Sequence, residues 1–157
     1  MRVEIDGWKS NIQFSACHMI PSHGKCERLH GHNYAVHAKV YGEQNEEGIV
    51  IDFIELKNAL RDITKELDHY VLLPKKSRFM DVRAYPELTK VEIGENVYQF
   101  PRGDTIILDL ESTSAEELAS YILERLFKEL KFPDNVRSVE IGVDEGWGQG
   151  AWVRREL

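Results

Sequence analysis

Residues 26–34, CERLHGHNY, concentrate side chains able to do chemistry. His30 and His32 stand two apart, so on a strand both imidazoles point to one face. His18 closes an earlier strand-like run, FSACH, and as a hairpin neighbour it would bring a third imidazole to that face. Three converging imidazoles are the ligand set of a catalytic zinc, with the fourth position open to water or substrate. Zinc is favoured over iron because no carboxylate appears in the register that a two-histidine, one-carboxylate site needs. The competing reading is a cluster of polar residues at a strand end. Cys26 lies four residues before His30, between the cations Lys25 and Arg28. Nearby cations and a metal populate the thiolate, and a thiolate beside a metal-bound substrate could serve as a general base. Glu27, three residues before His30, could also reach the site.

Other candidates are less decided by spacing. Asp68 and His69 follow a helical stretch; such a pair can fix a tautomer and stabilise an imidazolium. Adjacent residues normally diverge, however, so spacing favours a polar helix end with His set against the helix dipole. Glu145 sits in VDEGWGQG. It is either an exposed turn carboxylate or a bidentate partner for a flat, N–H-rich edge such as the guanidine-like edge of a pterin. Glu116 reads most simply as a first-turn helix carboxylate. Cys17 and His37 fall on the opposite strand face and read as structural.

The elements that must position these groups follow from periodicity. Residues 11–18 and 32–42 alternate as strands, with Ile12, Phe14 and Ala16 on one face of the first, and His32, Tyr34, Val36, Ala38 and Val40 on one face of the second. Asp52 with Glu55 forms a capping box that opens a helix. Its apolar stripe is Phe53, Leu56, Leu60, Ile63 and Leu67. Residues 90–100 read as a hairpin and 104–110 as a further strand. Ser114 with Glu117 opens a second helix over 115–130, with Leu118, Ala119, Ile122, Leu126 and Leu130 facing inward. Two last strands cover 136–144 and 149–155. The order β-β-α-(insert 74–111)-α-β-β predicts an α+β fold, an antiparallel sheet with helices on one face. Such a sheet leaves strand edges open, and a closed ring of subunits is one way to remove them.

The length of 157 residues suits one domain over 1–157. A formal charge of −7 argues against general nucleic-acid or anionic-membrane binding. No apolar leader and no run of 18 apolar residues is present, so neither a signal peptide nor a membrane span is expected. A cytoplasmic location with free Cys17 and Cys26 is the expectation, and a Cys17–Cys26 bridge the alternative.

FSACH at 14–18, CERLHGHNY at 26–34, IDFIELK at 51–57, LDHY at 67–70, SAEELA at 114–119 and VDE at 143–145 together resemble the 6-pyruvoyl-tetrahydropterin synthase/6-carboxy-tetrahydropterin synthase family. The resemblance runs in order along nearly the whole chain, except 74–111. It implies the tunnelling fold, in which three subunits close their sheets into a barrel and two trimers stack as a homohexamer. It implies 7,8-dihydroneopterin triphosphate as substrate, Zn2+ on His18, His30 and His32, Cys26 as proton acceptor, and Glu145 as the pterin anchor. Asp68 and His69 would be a relay pair reaching Cys26 of a neighbouring subunit, while Lys25 and Arg28 are either triphosphate contacts or solvated charges. Two features depart from the pattern. The insert 74–111 is long, and its role as a lid or an interface stays open. Glu27 directly follows Cys26, and some members use a glutamate at this place instead of the cysteine. The expected reaction gives 6-carboxy-tetrahydropterin with loss of triphosphate and acetaldehyde. The alternatives are 6-pyruvoyl-tetrahydropterin, side-chain cleavage to 6-hydroxymethyl-dihydropterin, or a non-catalytic metal-binding assembly protein.

Overall fold

The computed structural model describes residues 1–157. In chain order the elements are β1 (Arg2–Ile5), β2 (Gln13–His18), β3 (His30–Gly42), α1 (Phe53–Leu67), β4 (Tyr70–Pro74), β5 (Asp81–Ala84), β6 (Leu88–Ile93), β7 (Asn96–Pro101), β8 (Thr105–Leu108), α2 (Ala115–Glu129), β9 (Val136–Glu145) and β10 (Gly150–Glu156). The fold is α+β. The main sheet runs β10-β9-β3-β2-β4-β8, with β1 also paired to β3. β3 is the spine: at thirteen residues it pairs β2 along its first half, β1 along its second, and β9 on its other side.

Alternation puts one apolar face under the helices. Ile12, Phe14 and Ala16 of the first hairpin arm, Tyr34, Val36, Ala38 and Val40 of β3, and Val139, Ile141 and Val143 of β9 are all buried there. Both helices begin as the capping signals require. The Asp52 carboxylate accepts the Ile54 and Glu55 N–H groups, and the Ser114 hydroxyl accepts the Glu117 N–H. The buried stripe of α1 is Leu56, Leu60, Ile63, Thr64 and Leu67. Phe53 does not belong to it. As the first helical residue it lies beyond the end of that stripe and stays 45% exposed. On α2 the buried arc also takes in Leu123, because that helix packs against α1 as well as β9 and β10. Leu60 is fully buried in this layer. Leu60→Ala is expected to cost about 2–5 kcal/mol of stability, read as a lower urea midpoint with an unchanged slope.

Three differences from the sequence reading concern the edges. β1, β4 and β8 all join the main sheet. β4 joins β2, and β8 joins β4, in parallel, so the sheet is mixed at that side. What remains of the insert is a separate antiparallel sheet, β5-β6-β7. Its core of Met80, Val91 and Ile93 closes onto Leu73 and Met19. Met19 directly follows His18, so the insert is braced against the strand end that carries a candidate ligand.

Candidate metal and active site

The apolar face of the sheet turns polar at one end. Following β2 inward-facing positions gives Phe14, Ala16, then His18; following β3 backwards gives Val36, Tyr34, then His32 and His30; β9 gives Val143, then Glu145. Pairing brings these ends together, with His18 opposite His30, Ala16 opposite His32, and Tyr34 opposite both Phe14 and Glu145. One nitrogen from each of His18, His30 and His32 falls within a group whose atoms all lie within 4.8 Å of one another. The expected histidine cluster is therefore formed by register alone.

The proton positions argue for a cation. His18 Nδ1 lies 2.9 Å from the Thr113 carbonyl oxygen, and His30 Nδ1 lies 2.7 Å from the Arg28 carbonyl oxygen. A carbonyl only accepts, so both Nδ1 atoms carry the proton and both Nε2 atoms of the neutral rings present lone pairs. These two Nε2 atoms face each other at 3.1 Å. His32 Nε2 is buried and has no hydrogen-bond partner. A proton is a poor remedy at His18. Burial pushes its pKa down to about 4, against the Thr113 carbonyl and with help from repulsion by His30 and His32. A metal ion satisfies all three nitrogens, and the backbone carbonyls on His18 and His30 are the outer partners that commonly orient such ligands. The residues fit a metal.

A pocket of about 500 Å³ opens on this cluster, lined by His18, Ile20, Lys25, Cys26, His30, His32, Glu145 and Gln149. A second hollow beside it is lined by Cys26, Glu116, Glu145 and Gln149 among others. Cys26, Lys25, Glu145 and Glu116 thus all face the same region. Arg28 lines neither hollow, and its carbonyl serves His30 instead. Glu27 turns away: its carboxylate accepts the Ser22 N–H at 2.8 Å and ties the loop. Cys17 and Cys26 are both free thiols. Glu145 supplies what sequence spacing had not revealed, a carboxylate at the histidines. Its oxygens lie 3.5 Å from His18 Nε2 and 4.0 Å from His32 Nε2. The argument for zinc from the absence of a carboxylate therefore fails, since β9 delivers one from more than a hundred residues away in sequence. Burial, then the negative Glu145 nearby, raises the Tyr34 pKa. Sequence reasoning also passed over Gln149 and Thr113. Gln149 carried no motif, and Thr113 acts through a backbone carbonyl, which leaves no side-chain signature.

Asp68 and His69 do not diverge as adjacent residues normally would. His69 adopts a left-handed backbone, φ 66°, which is uncommon for a residue with a side chain. Its N–H donates to the Ser15 carbonyl, and its Nδ1 meets the Asp68 carboxylate at 2.8 Å. The other Asp68 oxygen accepts the Ser15 N–H at 2.8 Å. Burial acts to raise the Asp68 pKa, but the hydrogen bonds from Ser15 and His69 outweigh it and hold the carboxyl below its ordinary value. The pair is built, yet the His69 ring is 82% exposed and lines neither hollow of its own chain.

Comparison with known proteins gives this geometry a family. The profile described as 6-pyruvoyl tetrahydropterin synthase matches residues 8–156. The chain belongs to the 6-pyruvoyl tetrahydropterin synthase family. A Methanocaldococcus jannaschii protein, provisionally named 6-carboxy-5,6,7,8-tetrahydropterin synthase, is 35% identical over 162 residues, covering 100% of this chain and 98% of its own. Plasmodium falciparum 6-pyruvoyl tetrahydropterin synthase superposes with a TM-score of 0.91 at 31% identity, over 100% of this chain and 98% of that one. A Plasmodium vivax 6-pyruvoyltetrahydropterin synthase, with a catalytic glutamate replaced by alanine, superposes at 0.92 with 30% identity and the same coverage. The tunnelling fold expected from the sequence is therefore the fold of this chain. Coverage of the whole chain includes 74–111, so the insert has counterparts within the pterin synthase family. No helix is long and apolar enough to cross a membrane.

Proposed function

We propose that the protein converts 7,8-dihydroneopterin triphosphate and one water to 6-carboxy-5,6,7,8-tetrahydropterin, triphosphate and acetaldehyde, as a step toward queuosine or archaeosine. The observation that carries a metal-assisted reaction is the facing pair of unprotonated nitrogens, His18 Nε2 and His30 Nε2 at 3.1 Å, in one pocket with Cys26. The Methanocaldococcus relative, matched end to end, supports the product. Zinc held by His18, His30 and His32 would polarise the side-chain oxygens of the substrate and acidify the neighbouring C–H and O–H groups.

The chain's own residues do the rest. Cys26 takes a proton from the substrate side chain. Glu145 accepts the paired N–H groups of the pterin edge, a bidentate contact that fixes ring orientation. Lys25, and more distantly Arg28, neutralise the departing triphosphate, while Glu116 borders the same hollow. Asp68 orients His69 as a proton carrier. The exposed His69 ring is aimed outward, which supports its service to the pocket of a neighbouring subunit in a homohexamer built as a dimer of trimers. The open sheet edges at β8 and β10 support the same assembly. A cytoplasmic location accords with free thiols on both cysteines.

A second reading has its own support. The catalytic glutamate named for the Plasmodium vivax protein suggests Glu27 as the base, with 6-pyruvoyl-tetrahydropterin or 6-hydroxymethyl-dihydropterin as product. The bond from Ser22 N–H to Glu27 favours Cys26. Trapping the released aldehyde after incubation with the triphosphate substrate tests the choice. Acetaldehyde is expected. Triphosphate released with no aldehyde would contradict the 6-carboxy product.

Asp68→Asn keeps an acceptor for Ser15 but removes the charge that faces His69. Turnover is expected to fall by about 10²-fold with an unchanged melting temperature and metal content. Unchanged turnover would remove the pair from the reaction.

A further inference from the structure

We propose that Glu145 is the fourth ligand of the metal in the substrate-free protein, and that it leaves the metal for the pterin edge when substrate binds. The inference rests on the reading that this pocket takes a metal and a pterin.

Geometry carries the first half. Four ligands at tetrahedral zinc, bonded at 2.0–2.1 Å, stand about 3.3 Å from one another. His18 Nε2 and His30 Nε2 are 3.1 Å apart, and Glu145 Oε1 is 3.5 Å from His18 Nε2. Glu145 Oε2 lies 4.0 Å from His32 Nε2, so the carboxylate stands against two of the three imidazoles, just outside the three-nitrogen group. A hydrogen bond does not explain the approach. The His18 Nδ1 proton is committed to the Thr113 carbonyl, so its Nε2 offers a lone pair to a carboxylate that also only accepts. A cation held between these nitrogens and the carboxylate would satisfy them together.

The local backbone suits a ligand that changes partners. The Glu145 N–H is bonded to the Gln149 carbonyl, and the Gly146 N–H to the Asn33 carbonyl, which pins the main chain. Beyond it Gly146 and Gly148 take left-handed φ values of 77° and 90° in an exposed loop. The Glu145 side chain is 21% exposed and faces both hollows. It can therefore rotate from the histidines toward an incoming ring without moving the strand. Substrate binding would then open the metal only when a pterin is present to claim the carboxylate. The empty site would stay closed to water and to stray anions.

Cobalt(II)-loaded protein tests this without reference to turnover, because the visible d–d spectrum reports the ligand set. The Glu145→Gln variant is expected to change that spectrum and to weaken zinc, in chelator competition, by about 10-fold or more. Titration of the wild-type cobalt protein with 6-methylpterin, which has the pterin edge but no side-chain hydroxyls, is expected to move its spectrum toward that of the Glu145→Gln variant. This second measurement stands even if the variant folds poorly. A wild-type spectrum unchanged at saturating 6-methylpterin, with binding confirmed by pterin fluorescence, would overturn the exchange. Equal zinc affinity and spectrum in wild type and Glu145→Gln would overturn ligation by Glu145. His30→Ala protein with full metal, or no binding of 6-methylpterin at all, would instead strike the underlying metal or pterin reading.

Discussion

Cys26→Ala is expected to lower turnover by about 10²- to 10⁴-fold, the range that a positioned proton acceptor contributes, while the chain still binds one zinc. The thiol lines the pocket beside His18, His30 and His32 and is not among the converging ligand nitrogens. Its loss should leave the metal and the fold in place. Glu27→Ala is expected to leave most turnover intact and to loosen the 20–29 loop, because its carboxylate holds the Ser22 N–H. Steady-state kinetics with metal analysis of both variants gives the comparison. Full activity in Cys26→Ala with loss in Glu27→Ala would transfer the base to the glutamate and bring the Plasmodium-like reading forward. Wild-type behaviour in both, with zinc bound, would favour a non-catalytic metal-binding protein.

The second large effect is expected at His30. His30→Ala removes one of three imidazoles and leaves His18 Nε2 and His32 Nε2 buried with no third nitrogen. Zinc affinity should drop by more than the roughly 10–100-fold that loss of an outer partner costs. Bound zinc should fall below one per chain after dialysis, and turnover should fall with it. The fold should survive, since the His30 ring is only partly buried and lies outside the hydrophobic core. Full zinc occupancy in this variant would remove His30 from the ligand set.

The histidine cluster was legible in sequence because it obeys the same period of two that builds the strands. His18, His30 and His32 continue the inward faces of β2 and β3, and a hairpin is the simplest link between them. Both N-caps, Asp52 and Ser114, were legible for a similar reason, since each lies within three residues of the N–H it caps. Contacts made across long separations were not. Glu145 reaches the histidines only because β9 pairs with β3, a pairing that no local pattern specifies. β4 was hidden because its parallel pairing places it beside a strand distant in sequence and its short run carries no alternation; β8 was read as a strand over 104–110, but its parallel place beside β4 was not legible. The Asp68–His69 pair failed a sound rule for a specific cause: a left-handed residue turns the two side chains toward each other. Phe53 failed for the opposite cause. Its spacing fits the stripe, but the stripe ends before the first helical turn does.

The central claim is metal-dependent pterin chemistry at His18, His30, His32 and Cys26. Its most direct test is mass spectrometry of the pterin formed when zinc-loaded protein meets 7,8-dihydroneopterin triphosphate, beside the same protein stripped by chelator. 6-Carboxy-tetrahydropterin is expected from the loaded protein and unchanged substrate from the stripped one. Equal conversion by both would contradict it, and a pterin that keeps all three side-chain carbons would contradict the 6-carboxy product.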